Sequence, residues 1–127
     1  MRFTAALLLA ALVLAACGST ARERSASRLT VTVVDDVGAA PRTWTLTCDP
    51  PGGDHPQPAA ACAAVDAAGD PFAPKPADVA CTEIYGGPQT ATIVGTWRGT
   101  PVNAGYERTD GCEINRWNTL AAVFGAG

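Results

Sequence analysis

The alternation of apolar and polar positions is clearest in Leu29-Thr30-Val31-Thr32-Val33-Val34, where Leu29, Val31 and Val33 face one way and Thr30 and Thr32 the other. This β-branched run predicts a strand with one buried face. Residues 35–41, with Gly38, make a turn, and the same period then carries residues 42–48, placing Trp44, Leu46 and Cys48 on the inner side. Asp49-Pro50-Pro51-Gly52-Gly53-Asp54-His55-Pro56 breaks the pattern with residues that fix φ, free it or lack a donor. It is expected to be an irregular loop with His55 solvated. Residues 58–68 are alanine-rich and predict a short helix, with Pro58 in its first turn and Gly69 just past its end. Cys62 and Val65 share one face of it. Residues 70–76 hold three prolines and form a stiff irregular crossing. Alternation returns in Thr90-Ala91-Thr92-Ile93-Val94, a further strand. Residues 95–100 are expected to turn around Trp97 and Gly99, Tyr106-Glu107-Arg108 to begin or flank another short strand, and residues 120–124 to close the sheet. Trp97, Trp117 and Phe124 read as core or dimer-face aromatics. Five strands and one or two helices predict an α+β fold, an antiparallel sheet with helix packed on it.

Ahead of this pattern, Met1-Arg2 precedes an alanine- and leucine-rich run of 14 residues, 3–16. That is too short to span a bilayer and suits the apolar region of a signal peptide. It ends in Leu14-Ala15-Ala16-Cys17, which resembles the bacterial lipobox, so residues 1–16 are expected to be cut off and Cys17 to carry a diacylglycerol. The other reading is an ordinary signal peptide with Cys17 left over. Cysteine arithmetic favours the lipoprotein: removing Cys17 from five leaves four, an even number suited to two disulfides in an oxidising compartment. Residues 17–28, small and polar with Arg22, Arg24 and Arg28, read as a flexible tether. The domain would then occupy residues 29–127, outside the cell and anchored to its membrane.

The 127-residue length implies one domain, and aromatics at only 6% imply a thin core that gains from cross-links. Nine Lys and Arg face twelve Asp and Glu, which argues against a nucleic-acid partner. A single His55 and the absence of any Cys-x-x-Cys pair give no metal site, and no cofactor is expected. One histidine and no serine in a nucleophile elbow leave nothing for a hydrolytic triad, so the protein is not expected to be an enzyme. The four cysteines that follow Cys17 allow three pairings, and their spacing does not choose among them.

Cys81-Thr82-Glu83-Ile84-Tyr85, followed by Trp97-Arg98-Gly99, Tyr106-Glu107-Arg108 and Cys112-Glu113-Ile114-Asn115, resembles the C-terminal half of the subtilisin inhibitor-like family, secreted bacterial inhibitors of subtilisin-type serine proteases. The resemblance runs from about Leu29 to Phe124. It implies disulfides Cys48–Cys62 and Cys81–Cys112, and a reactive bond two residues past Cys81, at Glu83-Ile84. Glu83 would then be the primary specificity residue, with Cys81 and Thr82 before it and Tyr85 on the leaving side. Serine proteases are the implied partners, subtilisin-like or, because Glu83 is a carboxylate, glutamate-specific; a homodimer through the sheet is implied as well. The chain departs from the family in its expected lipid anchor, in Thr82 where proline is common, and in Tyr85-Gly86-Gly87-Pro88 where a Tyr-Asp-Pro run is expected. The glycine pair is expected to loosen the leaving side. The alternative is a non-inhibitory cell-surface binding lipoprotein that keeps the scaffold without the rigid loop.

Overall fold

The computed structural model describes residues 26–125. Five strands form one antiparallel sheet: β1 (Ser27–Val34), β2 (Arg42–Cys48), β3 (Gly52–Gly53), β4 (Thr90–Trp97) and β5 (Thr100–Tyr106), in the spatial order β3-β2-β1-β4-β5. Two helices, α1 (Pro58–Ala67) and α2 (Gly111–Thr119), complete the α+β architecture. β1 lies at the centre, pairing Leu29 with Leu46 on one side and with Gly95 on the other, and Val31 with Trp44 and Ile93. Residues paired across antiparallel strands share a face, so this register collects Leu29, Val31, Val33, Leu46, Ala91, Ile93, Val102, Ala104 and Tyr106 on one side of the sheet. All of them are buried. The other face carries Thr30, Thr32, Thr92 and Thr96.

The inner face is covered by α1 and by the segment that follows α2. Ala61, Cys62 and Val65 are the buried stripe of α1, and Cys62 bonds to Cys48 at the end of β2. Beyond α2, Leu120, Val123 and Phe124 are buried. The Phe124 ring lies 4.5 Å from that of Trp117 and 5.1 Å from that of Tyr106. Burying such a side chain is worth roughly 1.5 to 3 kcal/mol, and this trio supplies much of what a core poor in aromatics lacks.

The antiparallel sheet with helices packed on it is as the residue pattern predicts, while several segments differ in place. β1 begins at Ser27 rather than Leu29, because the buried Ser27 hydroxyl accepts a hydrogen bond from the Arg98 N–H at 2.9 Å. β4 continues through Gly95 to Trp97, so only Arg98 and Gly99 remain to turn, and Tyr106 ends β5, so that Glu107 and Arg108 flank that strand rather than belong to one they begin. Residues 120–124 do not close the sheet. They form tight turns after α2, with Val123 N–H bonded to Leu120 O at 2.8 Å and Phe124 N–H to Ala121 O at 3.1 Å. The fifth strand is instead Gly52–Gly53, which pairs with Thr47 and Leu46 inside a stretch expected to be irregular.

His55 is buried rather than solvated. Its Nδ1 accepts from the Gln57 N–H at 3.0 Å, which leaves Nε2 to donate to Val123 O at 2.9 Å, and its ring edge meets Trp44 at 5.1 Å. The histidine thus joins the β2–α1 loop to the C-terminal turns and covers the half-buried Trp44.

Candidate functional site

Residues 81–85 form no helix or strand, and 82–85 are exposed, Ile84 at 58% and Tyr85 at 67%. Among the described residues, Glu83, Ile84 and Tyr85 take part in no hydrogen bond or ion pair. Three consecutive residues therefore present free backbone donors and acceptors as well as free side chains. Such a segment normally stays mobile; here its two shoulders are fixed, and both to residues 108–112.

On the N-terminal shoulder, Cys81 bonds to Cys112 across 31 positions of sequence, and Thr82 O accepts the Gly111 N–H at 2.9 Å. On the C-terminal shoulder, the Gly86 N–H donates to Arg108 O at 2.7 Å, and Arg108 Nε donates back to Gly86 O at 3.1 Å. The expected looseness of Gly86-Gly87 is therefore absent at Gly86, which is held through both backbone groups. A Cβ there would come 2.8 Å from the Ile114 side chain and 3.2 Å from Arg108 O, so the absent side chain is what lets the loop approach α2 so closely.

The anchoring segment owes its own rigidity to the start of α2. Asp110 has extended dihedrals, and its Oδ1 accepts the Glu113 N–H at 2.9 Å, an N-cap that closes one free donor of the first turn. Its other carboxylate oxygen pairs with Lys75, which reaches over from the proline-rich crossing. The Lys75 ammonium, followed by the Glu113 backbone N–H, holds the Asp110 carboxyl below the usual aspartate range. Arg116 binds the same crossing further along, donating to Ala73 O and Gly105 O at 3.1 Å and pairing with Glu113 at 2.7 Å. The Tyr106 hydroxyl donates to Pro71 O at 2.6 Å. Burial raises that hydroxyl to about 12, so it stays a donor at any ordinary pH.

Cys81 Sγ, Cys112 Sγ and an Asp110 oxygen lie within 4.8 Å of one another, but both sulfurs are bonded to each other and the carboxylate to Lys75, which makes the group a brace and not a ligand set. The predicted loop residues Cys81, Thr82, Glu83, Ile84 and Tyr85 thus lie together on one exposed edge. Both disulfides, Cys48–Cys62 and Cys81–Cys112, join the partners that the resemblance implied. Cys17 lies outside the described residues. Nothing in the sequence pattern assigns Arg108, Asp110, Gly111 or Lys75 a role in supporting the loop, although Arg108 stands in one of the motifs that carry the resemblance. The spacing of Asp110 and Glu113, three apart before an apolar helix face, was a capping signal that could have found α2.

A small disulfide-stapled domain that holds an exposed segment by both ends is built as a binding protein whose ligand is another protein's cleft. Residues 23–110 match the subtilisin inhibitor-like family profile. Subtilisin inhibitor-like protein 5 of Streptomyces fradiae is 47% identical over 86 residues, covering 65% of this chain and 78% of that protein. Subtilisin inhibitor-like protein 1 of Streptomyces cacaoi is 39% identical over 90 residues, covering 67% and 81%. Among solved structures, Streptomyces caespitosus sermetstatin in complex with Bacillus licheniformis subtilisin aligns with a TM-score of 0.51 and 27% identity, over 80% of this chain and 99% of that one. The chain belongs to the subtilisin inhibitor-like family.

Proposed function

We propose that this protein is an inhibitor of subtilisin-type serine proteases that presents Glu83-Ile84 as its reactive bond, with Cys81 and Thr82 entering the cleft ahead of it and Tyr85 behind. The observation that carries this reading is the braced loop: the residues on either side of an unpaired, exposed tripeptide are tied to one short stretch, 108–112. A segment already held at both shoulders loses little conformational entropy on entering a cleft, so its contacts appear as affinity. The solved complex of a relative with a subtilisin makes a protease of that class the natural partner. A non-enzymatic role fits the one histidine, whose ring nitrogens are both engaged in structural hydrogen bonds.

Glu83 sets the preference among proteases. A carboxylate buried in an apolar pocket without a partner costs several kcal/mol, about three decades of affinity. The favoured target is therefore a protease whose specificity pocket supplies a cation or a histidine, and a broad subtilisin with a wet pocket comes next. Cys17 acts in this reading as a lipid anchor, placing the inhibitor at the outer surface of the cell membrane. Inhibition constants against a glutamate-specific protease, a subtilisin, a chymotrypsin-like and a trypsin-like enzyme test the proposal. The first two should be inhibited best, and Glu83→Lys should move the optimum to the trypsin-like enzyme. Equal inhibition of all four would overturn the role given to Glu83, and inhibition of none would overturn the function.

A further inference from the structure

The proposed reactive bond leaves a question of durability, since a protease cuts what it binds. Once Glu83-Ile84 is cut, the acyl half stays on the domain through Cys81–Cys112 and the Thr82–Gly111 hydrogen bond. The amine half, residues 84–127, shares that bridge through Cys112, but Cys112 lies 28 positions beyond the new amine (112 − 84), and the segment that starts at Ile84 has no disulfide beside it. Its first attachment to the body of the domain is at Gly86, through Arg108. We propose that Arg108 is the positioning residue that keeps the leaving segment in place for resealing, so that this side chain determines whether the protein persists as an inhibitor or is consumed as a substrate. The inference rests on the reading of Glu83-Ile84 as the reactive bond.

The side chain is built for such a clamp. Arg108 is half-buried. Its Nε donates to Gly86 O at 3.1 Å while Nη1 donates to Asn118 Oδ1 on α2 at 3.1 Å, and its guanidinium lies 5.8 Å from the Trp117 ring. Two hydrogen bonds in different directions and an aromatic neighbour fix the plane of the guanidinium, which a flexible ammonium could not match. Its own carbonyl meanwhile accepts the Gly86 N–H. Gly86 is thus gripped through both of its backbone groups by one residue, two positions from the new amine.

Resealing needs that amine close to the ester. The Ile84 nitrogen attacks the Glu83 carbonyl carbon of the acyl-enzyme and the amide bond forms. The ester bond to the protease serine breaks, and the proton released by the amine passes through the protease's own general base to the departing serine oxygen. Water competes for the same carbon, and effective concentrations on the order of 10⁵ M for a well-held amine decide that contest. Freeing Gly86 O from a charged donor removes part of the hold, and losing such a bond shifts an equilibrium about tenfold or more.

The test follows inhibition over time in mixtures of the mature chain with subtilisin and, separately, with a glutamate-specific serine protease, with intact-mass analysis of the inhibitor. Arg108→Met keeps an apolar stem near Trp117 and loses every donor. Asn118→Ala leaves the loop contact in place and frees the guanidinium. For Arg108→Met the initial inhibition constant should weaken as one shoulder contact is lost, while the cleaved fraction at Glu83-Ile84, compared at equal protease occupancy, rises about tenfold and protease activity returns. Asn118→Ala should give a smaller rise in the same direction, and Arg108→Lys a partial return toward the unsubstituted behaviour. Melting temperatures measured alongside separate this from unfolding, which would raise cleavage at many bonds instead of one. Equal persistence of the Arg108→Met, Asn118→Ala and unsubstituted proteins under a protease that all three inhibit overturns the role of Arg108 alone. Failure of the unsubstituted protein to inhibit either protease overturns the reactive-bond reading, and this inference with it.

Discussion

Asp110 shows how much of the loop's rigidity depends on one carboxylate outside it. It caps α2, pairs with Lys75 and immediately precedes Gly111, whose N–H holds Thr82. Because the Lys75 pairing lowers its folded pKa below the ordinary aspartate range, the folded state binds fewer protons than the unfolded one as pH falls toward that range. The stabilisation is therefore fully present above about pH 5 and is lost as pH falls through the depressed value. Asp110→Asn retains a cap acceptor but no charge. Thermal melts should show the unsubstituted protein more stable than Asp110→Asn at pH 7 and the difference narrowing as pH is lowered through the aspartate range. A difference independent of pH would mean that the Lys75 pair contributes nothing. His55 teaches the converse lesson. Prolines and glycines on both sides made solvation the natural expectation, but its ring nitrogens bond residues 2 and 68 positions away, and a contact of the second kind leaves no local trace.

At the level of elements, the strands that could be read directly from sequence were those whose own side chains carry the burial. β1 and β2 alternate strictly because one face packs and the other meets water. For β4 the sequence pattern predicts only residues 90–94 and a turn from Gly95, since glycine punctuates most strands. Here it does the opposite. Gly95 has φ +148° and sits where a Cβ would come 2.1 Å from Arg28 O, so the missing side chain is what allows β1 and β4 to stay paired past that point. Gly95→Ala should cost about 2 to 3 kcal/mol, a fall of roughly 8 to 20 °C in melting temperature for a domain of this size. A melt within 2 °C of the unsubstituted protein would refute the close-approach account. The C-terminal run Leu120, Val123 and Phe124 was read as strand although its spacing of three and four is that of a helical turn. A short apolar run at the chain's end lacks the length to reveal its period. The loop, by contrast, was found in the sequence through its cysteine and neighbouring motifs, whereas its supports were not, because Lys75, Arg108 and Gly111 reach it only through the tertiary fold.

For the whole molecule, two disulfides offset a thin core, and they act on different parts of it. Closing 14 and 31 residues stabilises by about 3 and about 4 kcal/mol respectively in the loop-entropy picture. Cys48–Cys62 fastens α1 to the end of β2, far along the chain from the loop, whereas Cys81–Cys112 fastens the loop itself. Paired serine substitutions should therefore separate stability from function. Cys48→Ser with Cys62→Ser should lower the melting temperature and leave inhibition at 25 °C within a few-fold, provided the domain remains folded. Cys81→Ser with Cys112→Ser should turn the protein into a substrate cut at Glu83-Ile84. Loss of inhibition to the same extent in both, with both still folded by circular dichroism, would contradict a local role for the second bridge.

The direction of β1 bears on the anchoring proposed for Cys17. Its first residue, Ser27, meets Arg98 at the tip between β4 and β5, while its last, Val34, pairs with Thr90 at the end of the sheet from which the loop extends. Eight residues of strand place those ends about 25 Å apart. Gly125 lies against Trp44 and Arg42, and Arg42 pairs with Val33 at the loop's end of the sheet. Under the anchoring proposed for Cys17, a chain moored by its leading end carries Glu83 on the far side of the domain from the wall, and the same domain moored by its trailing end would turn that bait inward.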